Sequence, residues 1–254
     1  MQTTSSGLAP TTICIRVTDP PLELFITDKA FRPNPTTVRF ARFVAVKPGD
    51  LVFDIGTGVA PLAIKAALDG AQQVIAIDPV PLHCELARMN VAKYGLQDTV
   101  TVLEGEFFEP IDQDPALKNL KADVIIGDVS GIADPIARAL GWYSDEVPTG
   151  GLDGTEVIIP FLKRAKNYLA PHGAIYFPVA VDLSDCPKIM KAANELFANV
   201  DNALDRESFS FPLNEDEIKA INGAYDGKLP SYINIQTERR PSWRGQIWRA
   251  SNPR

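Results

Sequence analysis

The order of hydrophobic and polar positions along the chain predicts an α/β fold. Short apolar runs without in-and-out alternation are typical of strands that a parallel sheet buries on both faces. Between them lie longer segments in which apolar residues recur every three or four positions, as in amphipathic helices. The predicted strands are residues 51–55, 74–77, 100–103, 123–126 and 174–179, and the predicted helices are residues 61–68, 81–94, 132–140 and 155–169.

This alternation fits strand–helix units within residues 48–180, and it therefore predicts a sheet with helices on both faces. Residues 1–45 are polar and contain several prolines. We expect them to form an N-terminal extension that contributes to the functional site, followed by a single domain over residues 46–254. In the weaker pattern after residue 180, a helix is predicted at residues 187–198 and short strands at residues 208–211 and 246–249.

Composition and charge narrow the class of protein. Hydrophobic residues make up 45% of the chain and charged residues 22%, which is ordinary for a globular domain. The net charge of −7 disfavours nucleic acid as a partner, because proteins that bind it normally carry a basic surface. We expect neither a membrane span nor a signal peptide, since the chain has no long uncharged apolar run. Cys14, Cys84 and Cys186 have neither disulfide nor metal spacing, so reduced thiols, no metal site and a cytoplasmic location are expected.

The segment from residue 51 to residue 64 carries the main chemical signal. A strand ends near Asp54, the chain passes through the Gly-Thr-Gly of residues 56–58, and a helix begins. Glycines suit such a turn because the backbone bends sharply and comes close to a ligand. Pro61 stands where a dinucleotide fingerprint has its third glycine, and an acid precedes the glycines. Both features favour a cationic ligand over a pyrophosphate.

Two further acids follow the next two strands. Asp78 closes the second strand in VIAIDP, and Glu106 follows the third strand in LEGEFF. Open α/β sheets bind ligands beyond the carboxyl ends of their strands, so these acids are expected at one site. Each acid alone would also fit a helix cap or a solvated loop. Their order and spacing at successive strand ends favour the ligand site.

In these residues the chain resembles the class I S-adenosylmethionine-dependent methyltransferases. The resemblance covers roughly residues 30–180 and implies a Rossmann-like α/β fold with a seven-stranded, mostly parallel sheet whose last strand is antiparallel. It implies S-adenosylmethionine as the cofactor, with Asp54 at the methionine portion, Asp78 at the ribose and Glu106 at the adenine. The cofactor-binding residues that it implies around these strand ends are Asp54, Gly56, Thr57, Gly58, Asp78, Pro79, Glu106, Phe107 and Asp128.

Two other segments resemble the glutamine N-methyltransferases that modify translation release factors. They are FRPNPTTVRF at residues 31–40 and GGLDG at residues 150–154. By this resemblance Phe31, Pro33 and Thr37 lie beside the cofactor. The alternatives are a core anchor for Phe31 and, for the glycine segment, a helix entry whose free N–H groups a nearby side chain caps.

The loop after the fourth predicted strand departs from that group. Where the group has Asn-Pro-Pro-Tyr, which clamps a planar amide, this chain has Asp-Val-Ser-Gly at residues 128–131. Asp128 is a candidate to accept a hydrogen bond or a proton from the methyl acceptor, and Ser130 is a candidate to donate or accept a hydrogen bond. Both would also fit as caps of the following helix. His83 and His172 are expected at the surface.

The rest of the chain bears on the substrate. Trp142 and Tyr143 are candidates for the wall of a substrate pocket, or for covering the core. Residues 237–249 combine arginine and tryptophan and predict an antiparallel hairpin, with one arginine conjectured to bind a substrate carboxylate. Without a basic surface or a docking domain, we predict methylation of an O, N or C nucleophile on a small molecule of specialised metabolism, by a monomer or homodimer.

Three alternatives stay open. The first is a protein glutamine N-methyltransferase of the release-factor type. The second is a nicotinamide-dependent oxidoreductase, which Pro61 and the acid before the glycines disfavour. The third is a non-catalytic cofactor-binding partner of another enzyme.

Overall fold

The computed structural model describes residues 9–142, 149–203, 208–235 and 240–254. The chain divides into two compact units. The first consists of Met1–Asp128 and Asn167–Tyr176, and the second of Val129–Lys166 and Phe177–Arg254. The division between these units does not fall at residue 46, where a domain boundary was expected. That residues 1–45 form an extension that contributes to the site stays a prediction.

The first unit holds most of the predicted alternation of strands and helices. Its elements are β1 (Thr11–Ile15), β2 (Leu22–Ile26), α1 (Pro35–Phe40), β3 (Leu51–Ile55), α2 (Pro61–Leu68), β4 (Gln73–Asp78), α3 (Pro81–Lys93), β5 (Val100–Glu104), α4 (Glu109–Gln113) and β6 (Ala122–Gly127), with the first part of β7 (Leu169–Ala180). The first four predicted strands and the first two predicted helices are confirmed to within a residue at each end. The fifth predicted strand begins earlier than expected, at Leu169.

The strands of this unit form a parallel sheet in the order β5-β4-β3-β6-β7. β3 lies between β4 and β6, with Ile55 opposite Ile77 on one side and Gly127 on the other. Each apolar side chain that the central strands remove from water contributes about 1.5–3 kcal/mol. That burial explains why continuous apolar runs form these strands, whose fully buried side chains include Val52, Phe53, Ile75 and Ile125.

The sequence pattern does not predict the antiparallel hairpin of β1 and β2. The buried side chain of Asn90, on α3, holds the edge of this hairpin. Its Oδ1 accepts a hydrogen bond from the Phe25 N–H at 2.6 Å, and its Nδ2 donates to the Phe25 carbonyl at 3.1 Å. The same Nδ2 donates to the carbonyl of Val59 at 3.0 Å. One amide side chain therefore ties the hairpin to the turn that follows β3.

The second unit contains the end of β7 and a set of antiparallel strands. Its elements are α5 (Asp134–Ala139), α6 (Ile158–Ala165), α7 (Cys186–Leu196), β8 (Phe197–Asn202), β9 (Phe209–Pro212), α8 (Glu215–Gly223) and β10 (Ser242–Pro253). β10 pairs antiparallel with β8 and with β9, which confirms the antiparallel pairing expected near the end of the chain. The strand predicted at residues 246–249 is part of this longer β10.

Two expectations for helices of the second unit need correction. The helix predicted at residues 132–140 begins only at Asp134, because a proline occupies its first turn. The helix predicted at residues 155–169 is confined to α6, since the chain from Leu169 onward is extended as β7. The capping box of Asn214 and Glu217 begins α8, which was not predicted. No helix within the described ranges is long and apolar enough to cross a membrane.

Candidate functional site

Three aspartates of the first unit stand at the carboxyl ends of neighbouring strands. Asp54 lies in β3, Asp78 ends β4, and Asp128 directly follows β6. Because β3 pairs in parallel with both of the other strands, their carboxyl ends meet at one edge of the sheet. This edge is where open α/β sheets bind ligands. The structure thus brings together the acids that the sequence predicts at one site.

The glycine turn after β3 folds back onto β4. The N–H groups of Gly56 and Thr57 both donate to the carbonyl of Ile77, at 2.8 and 3.0 Å. Gly58 has a φ of 57°, and a Cβ atom built there would meet nothing within 4 Å. Ala60 also has positive φ, at 68°, a conformation that costs a non-glycine residue energy and is often found at functional sites. The turn therefore leaves open space beside the backbone of Gly58.

The carboxyl group of Asp54 is completely buried. Its Oδ2 accepts a hydrogen bond from the Thr57 hydroxyl at 2.7 Å, whereas its Oδ1 has no hydrogen-bond partner in the described part of the chain. Burial raises the pKa of Asp54 to about 7. The negative charges of Asp128 and Asp78 raise this pKa further, while the Thr57 hydroxyl and, least, the Ala63 amide lower it. A buried acid with an unpaired oxygen suits a cationic ligand group.

Asp78 is held by the backbone and by a histidine. Its Oδ2 accepts the N–H of Gly58 at 2.8 Å, and its Oδ1 accepts the N–H of Val80 at 3.0 Å. Nδ1 of His83 lies 2.9 Å from the same Oδ1, while Nε2 of His83 accepts the N–H of Phe31 at 3.0 Å. Since Nε2 is an acceptor, the proton of the neutral ring belongs on Nδ1.

His83 is therefore a site residue that the sequence reasoning missed. It was expected at the surface, but its exposure is only 3%. The surface position expected for His172 is confirmed. His83 connects the acid of β4 to the backbone of Phe31, 52 positions earlier in the chain. No local pattern marks such a contact.

The partly buried Asp128 is positioned by α1. Thr37 donates its hydroxyl to Oδ2 of Asp128 at 2.9 Å. Asn34 caps α1, because its side-chain oxygen accepts the N–H groups of Thr36 at 2.8 Å and Thr37 at 3.2 Å. Burial raises the pKa of Asp128 to about 6, although the Thr37 hydrogen bond acts to lower it. An acid with a pKa near neutrality is suited to proton transfer.

The other predicted cofactor residues of this unit are more exposed. Glu106 and Pro79 are exposed, and Phe107 is half-buried with a φ of 51°. Gly105, just before them, has a φ of 155°, and its N–H donates to the carbonyl of Asp78 at 3.1 Å. The turn after β5 thus lies next to Asp78 as predicted. Pro33, which was also predicted beside the cofactor, lines a cavity in this unit. None of the three strand-end aspartates lines that cavity.

Several predicted residues lie in the second unit. The hydroxyl of Ser130 is buried and lacks a partner among the described residues. Trp142 packs against Trp243, with 5.8 Å between ring centroids, in the hydrophobic cluster of this unit, which favours the alternative of a core-covering residue. Tyr143 lies outside the described residues. The backbone N–H and the guanidinium of Arg244 hydrogen-bond to buried Asp182, at 2.6–2.9 Å, so this arginine is engaged internally.

The GGLDG segment also belongs to the second unit. Gly154 has a φ of 79°, and a Cβ atom there would lie 2.5 Å from the Cβ of Ser184. Oδ1 of Asp153 accepts the N–H of Thr155 at 3.1 Å and its hydroxyl at 2.6 Å, and Oδ2 pairs with Lys188 at 2.6 Å. Close packing and a turn closed by Asp153 and Thr155 account for these residues, whereas the expected side-chain cap of a helix is not found, because α6 has Val157 as its N-cap and no side chain caps it.

Residues 35–168, just over half of the chain, match the model of the family described as ribosomal protein L11 methyltransferase (PrmA). The chain belongs to this family. The matched region contains Thr37 and all three strand-end aspartates. A ribosomal protein L11 methyltransferase of Pelotomaculum thermopropionicum is 40% identical over 107 residues, which are 42% of this chain and 32% of that protein. The chain matches only about a third of the length of such curated relatives.

Solved structures share the fold. The ribosomal protein L11 methylase of Lactobacillus delbrueckii subsp. bulgaricus has a TM-score of 0.52 at 18% identity, covering 88% of this chain and 82% of that one. The T. thermophilus 16S rRNA N2 G1207 methyltransferase, in complex with AdoMet and guanosine, has a TM-score of 0.59 at 13% identity. That match covers 96% of this chain and 50% of the other. The predicted Rossmann-like methyltransferase fold is confirmed.

Family membership also decides among the functional expectations. The family match agrees with the predicted enzyme class, an S-adenosylmethionine-dependent methyltransferase, and with the predicted cofactor. The prediction of a small-molecule substrate is wrong, because the relatives are named for a protein that they methylate. The match is to the ribosomal protein L11 group, and the finer resemblance to release-factor glutamine methyltransferases is not shown.

Proposed function

We propose that this protein transfers a methyl group from S-adenosylmethionine to an amine of a protein acceptor. The observation that carries the proposal is the match of residues 35–168 to the ribosomal protein L11 methyltransferases, within which the three strand-end aspartates and Thr37 all lie. The relatives' names supply a protein as the acceptor class. The chemistry of Asp128 supports an amine.

The residues of the first unit suit the cofactor. The unpaired, buried Oδ1 of Asp54 would accept hydrogen bonds from the ammonium group of the methionine portion. The open face of Gly58 leaves room for the ligand beside the backbone, and Asp78 lies next to it through the N–H of Gly58. We assign Asp78 to the ribose hydroxyls and the exposed turn of residues 105–107 to the adenine. When bound, S-adenosylmethionine supplies an electrophilic methyl group on a sulfonium sulfur.

Asp128 would handle the proton of the acceptor. An amine attacks through its lone pair, so an ammonium group must first lose a proton. With a pKa of about 6, Asp128 is mainly ionised at neutral pH and accepts a hydrogen bond or a proton from such a group. Thr37 fixes Oδ2, which leaves Oδ1 for the acceptor. Holding the nitrogen in line with the methyl group is the other part of the catalysis.

A carboxylate also favours an amine over an amide. An ammonium group is attracted by the charge of Asp128, whereas a glutamine amide is neutral. The chain lacks the Asn-Pro-Pro-Tyr sequence that clamps a planar amide and has residues 128–131 in its place. The roles predicted for Ser130 and Trp142 in this reaction stay predictions.

Mass spectrometry tests the proposal directly. The protein is incubated with S-adenosylmethionine that carries a deuterated methyl group, together with purified ribosomal protein L11, a release factor or total ribosomal protein. We expect deuterated methyl groups on amines of a ribosomal protein and none on glutamine amides. Labelling confined to small molecules of a cell extract, by a protein that binds S-adenosylhomocysteine, would contradict the proposal.

Two variants sharpen this test. Asp128→Asn should keep S-adenosylhomocysteine binding and lower the turnover rate about 10²–10⁴-fold, the range for loss of a general base. Asp98→Asn, at an exposed position of the same unit, serves as the matched control and should leave the rate unchanged. Equal rates for Asp128→Asn and the control would remove Asp128 from the reaction.

A further inference from the structure

A cavity of about 500 Å³ lies in the first unit beside the N-terminal hairpin. Its lining comes from residues 13–16, at the end of β1 and just after it, and from residues 32–42, the segment that contains α1. Among the lining residues are Arg16, Arg32, Arg39 and Arg42, and none of the described residues that line it is acidic. We call it the arginine cavity. In a chain with a net charge of −7, such a concentration of positive charge needs an explanation.

α1 lies between this cavity and Asp128. Thr37 is buried on α1 and hydrogen-bonds to Asp128, whereas Val38 and Arg39, the next residues, line the cavity. A helix with its side chains is about 10–12 Å across. The arginine cavity is therefore within roughly one helix diameter of Asp128. Residues of α1 line the cavity and also hold Asp128.

Three of the four arginines that line the cavity are available to a ligand. Arg16, Arg32 and Arg42 are exposed. The side chains of Arg16, Arg32 and Arg42 form no hydrogen bond or ion pair with any residue that the structure describes. Apolar residues, among them Ile15 and Val38, also line the cavity. Guanidinium groups bind carboxylates in a bidentate manner, so this lining suits a segment that carries acidic and apolar side chains.

An acidic peptide fits the cavity better than a nucleic acid does. Single-stranded nucleic acids are bound on aromatic side chains that stack with the bases, and no described lining residue is aromatic. The volume is that of a pocket for a few side chains.

We propose that the arginine cavity binds an acidic segment of the protein acceptor and thereby selects which amine reaches Asp128. The inference rests on the proposed function, since it assumes a protein acceptor. An extended chain advances at most about 3.3–3.6 Å per residue. About three or four extended residues of the acceptor would therefore span the ~10–12 Å across α1, between its acidic residues and the methylated one.

Peptide binding tests this inference without requiring methyl transfer. The probe is a fluorescent peptide that contains several glutamates and one lysine, compared with the same peptide with glutamine in place of glutamate. Fluorescence anisotropy with the S-adenosylhomocysteine-loaded protein should show tighter binding of the acidic peptide. Each exposed pair changes the dissociation constant about two- to fivefold. We thus expect the combined variant R16Q/R32Q/R42Q to weaken binding of the acidic peptide at least about tenfold.

The controls separate this inference from the proposed function. Arg240→Gln removes an exposed arginine of the second unit and should leave peptide binding unchanged. Affinity for S-adenosylhomocysteine and the melting temperature should be the same in R16Q/R32Q/R42Q as in the parent protein. Arginine-dependent binding of the acidic peptide with no methylation of any protein would count against the proposed function alone.

Three results would overturn the inference. The first is methylation of a protein acceptor at equal KM by the parent protein and R16Q/R32Q/R42Q. The second is equal affinity for the acidic and the glutamine peptide. Tight binding of a single-stranded RNA that the same substitutions abolish, without binding of the acidic peptide, would assign the cavity to nucleic acid and contradict the proposal.

Discussion

The hydroxyl of Thr37 donates a hydrogen bond to Oδ2 of Asp128 at 2.9 Å, across 91 positions of the chain. This contact joins the N-terminal part of the first unit to the end of β6. It also stabilises the ionised form of Asp128 against the effect of burial, which raises the pKa of that carboxyl to about 6. The contact thus sets both the position and the protonation state of the acid assigned to the acceptor.

Thr37→Val removes this donor with little change in side-chain volume. The pKa of Asp128 should then rise above 6, because the hydrogen bond that lowers it is gone. A charge-assisted hydrogen bond is worth about 1.5–3 kcal/mol, and 1.36 kcal/mol corresponds to one unit of pKa. In the pH profile of kcat/KM, the acidic limb should therefore move up by about one to two units. Thr37→Ser keeps the hydroxyl and should keep the profile, and an unshifted limb in Thr37→Val would contradict the assignment.

Cofactor binding should depend on the ionisation of Asp54. The pKa of this carboxyl is raised to about 7, and an ammonium group at its unpaired Oδ1 favours the ionised form. Affinity for S-adenosylhomocysteine should therefore increase as the pH rises towards and above 7, by up to about tenfold per pH unit below 7. Calorimetry in buffers of different ionisation enthalpy should detect proton release on binding. Asp54→Asn should bind weakly at every pH, and a steep pH dependence in that variant would refute the assignment.

The same burial has a consequence for stability. The folded-state pKa of Asp54, about 7, exceeds the ordinary value of 3.8, so the folded protein binds the proton more tightly than the unfolded chain. The stabilising contribution of protonation is complete below about pH 4 and is lost as the pH rises through 7. Asp54→Asn should accordingly raise the free energy of unfolding of the ligand-free protein at pH 8, by up to about 4 kcal/mol. Urea unfolding of both proteins at pH 8 and at pH 4 measures this increase in the free energy of unfolding. The increase should be smaller at pH 4 than at pH 8.

The positions of three acids at strand ends could be predicted from the sequence, because each acid belongs to or directly follows an apolar strand. Asp54, Asp78 and Asp128 stand at the ends of apolar runs, and parallel pairing brings such ends to one edge. The glycine turn is equally predictable, since positive φ at residues 56 and 58 requires the residues found there.

The supporting contacts of the site could not be predicted, because their partners are remote in sequence. His83 meets Phe31 over 52 positions, and Asn90 meets Phe25 over 65 positions. A histidine or an asparagine on an amphipathic helix is compatible with a surface position. Only the packing of the N-terminal hairpin against α3 buries them. The same reason explains why the strands β1 and β2 of the N-terminal extension were not predicted.

The hydrogen bonds of Asn90 yield a final prediction. Replacing this residue by alanine leaves the N–H of Phe25 and the carbonyls of Phe25 and Val59 without the partners that the side chain supplies. Unpaired buried polar groups cost about 1–3 kcal/mol each, reduced where water enters. Asn90→Ala should therefore lower the free energy of unfolding by about 2–4 kcal/mol, and amide hydrogen exchange should accelerate in β2 more than in β3. Asn194→Ala, which removes an exposed asparagine of α7, should change stability by less than about 0.5 kcal/mol. Unchanged exchange in β2 of Asn90→Ala would mean that other contacts hold the hairpin.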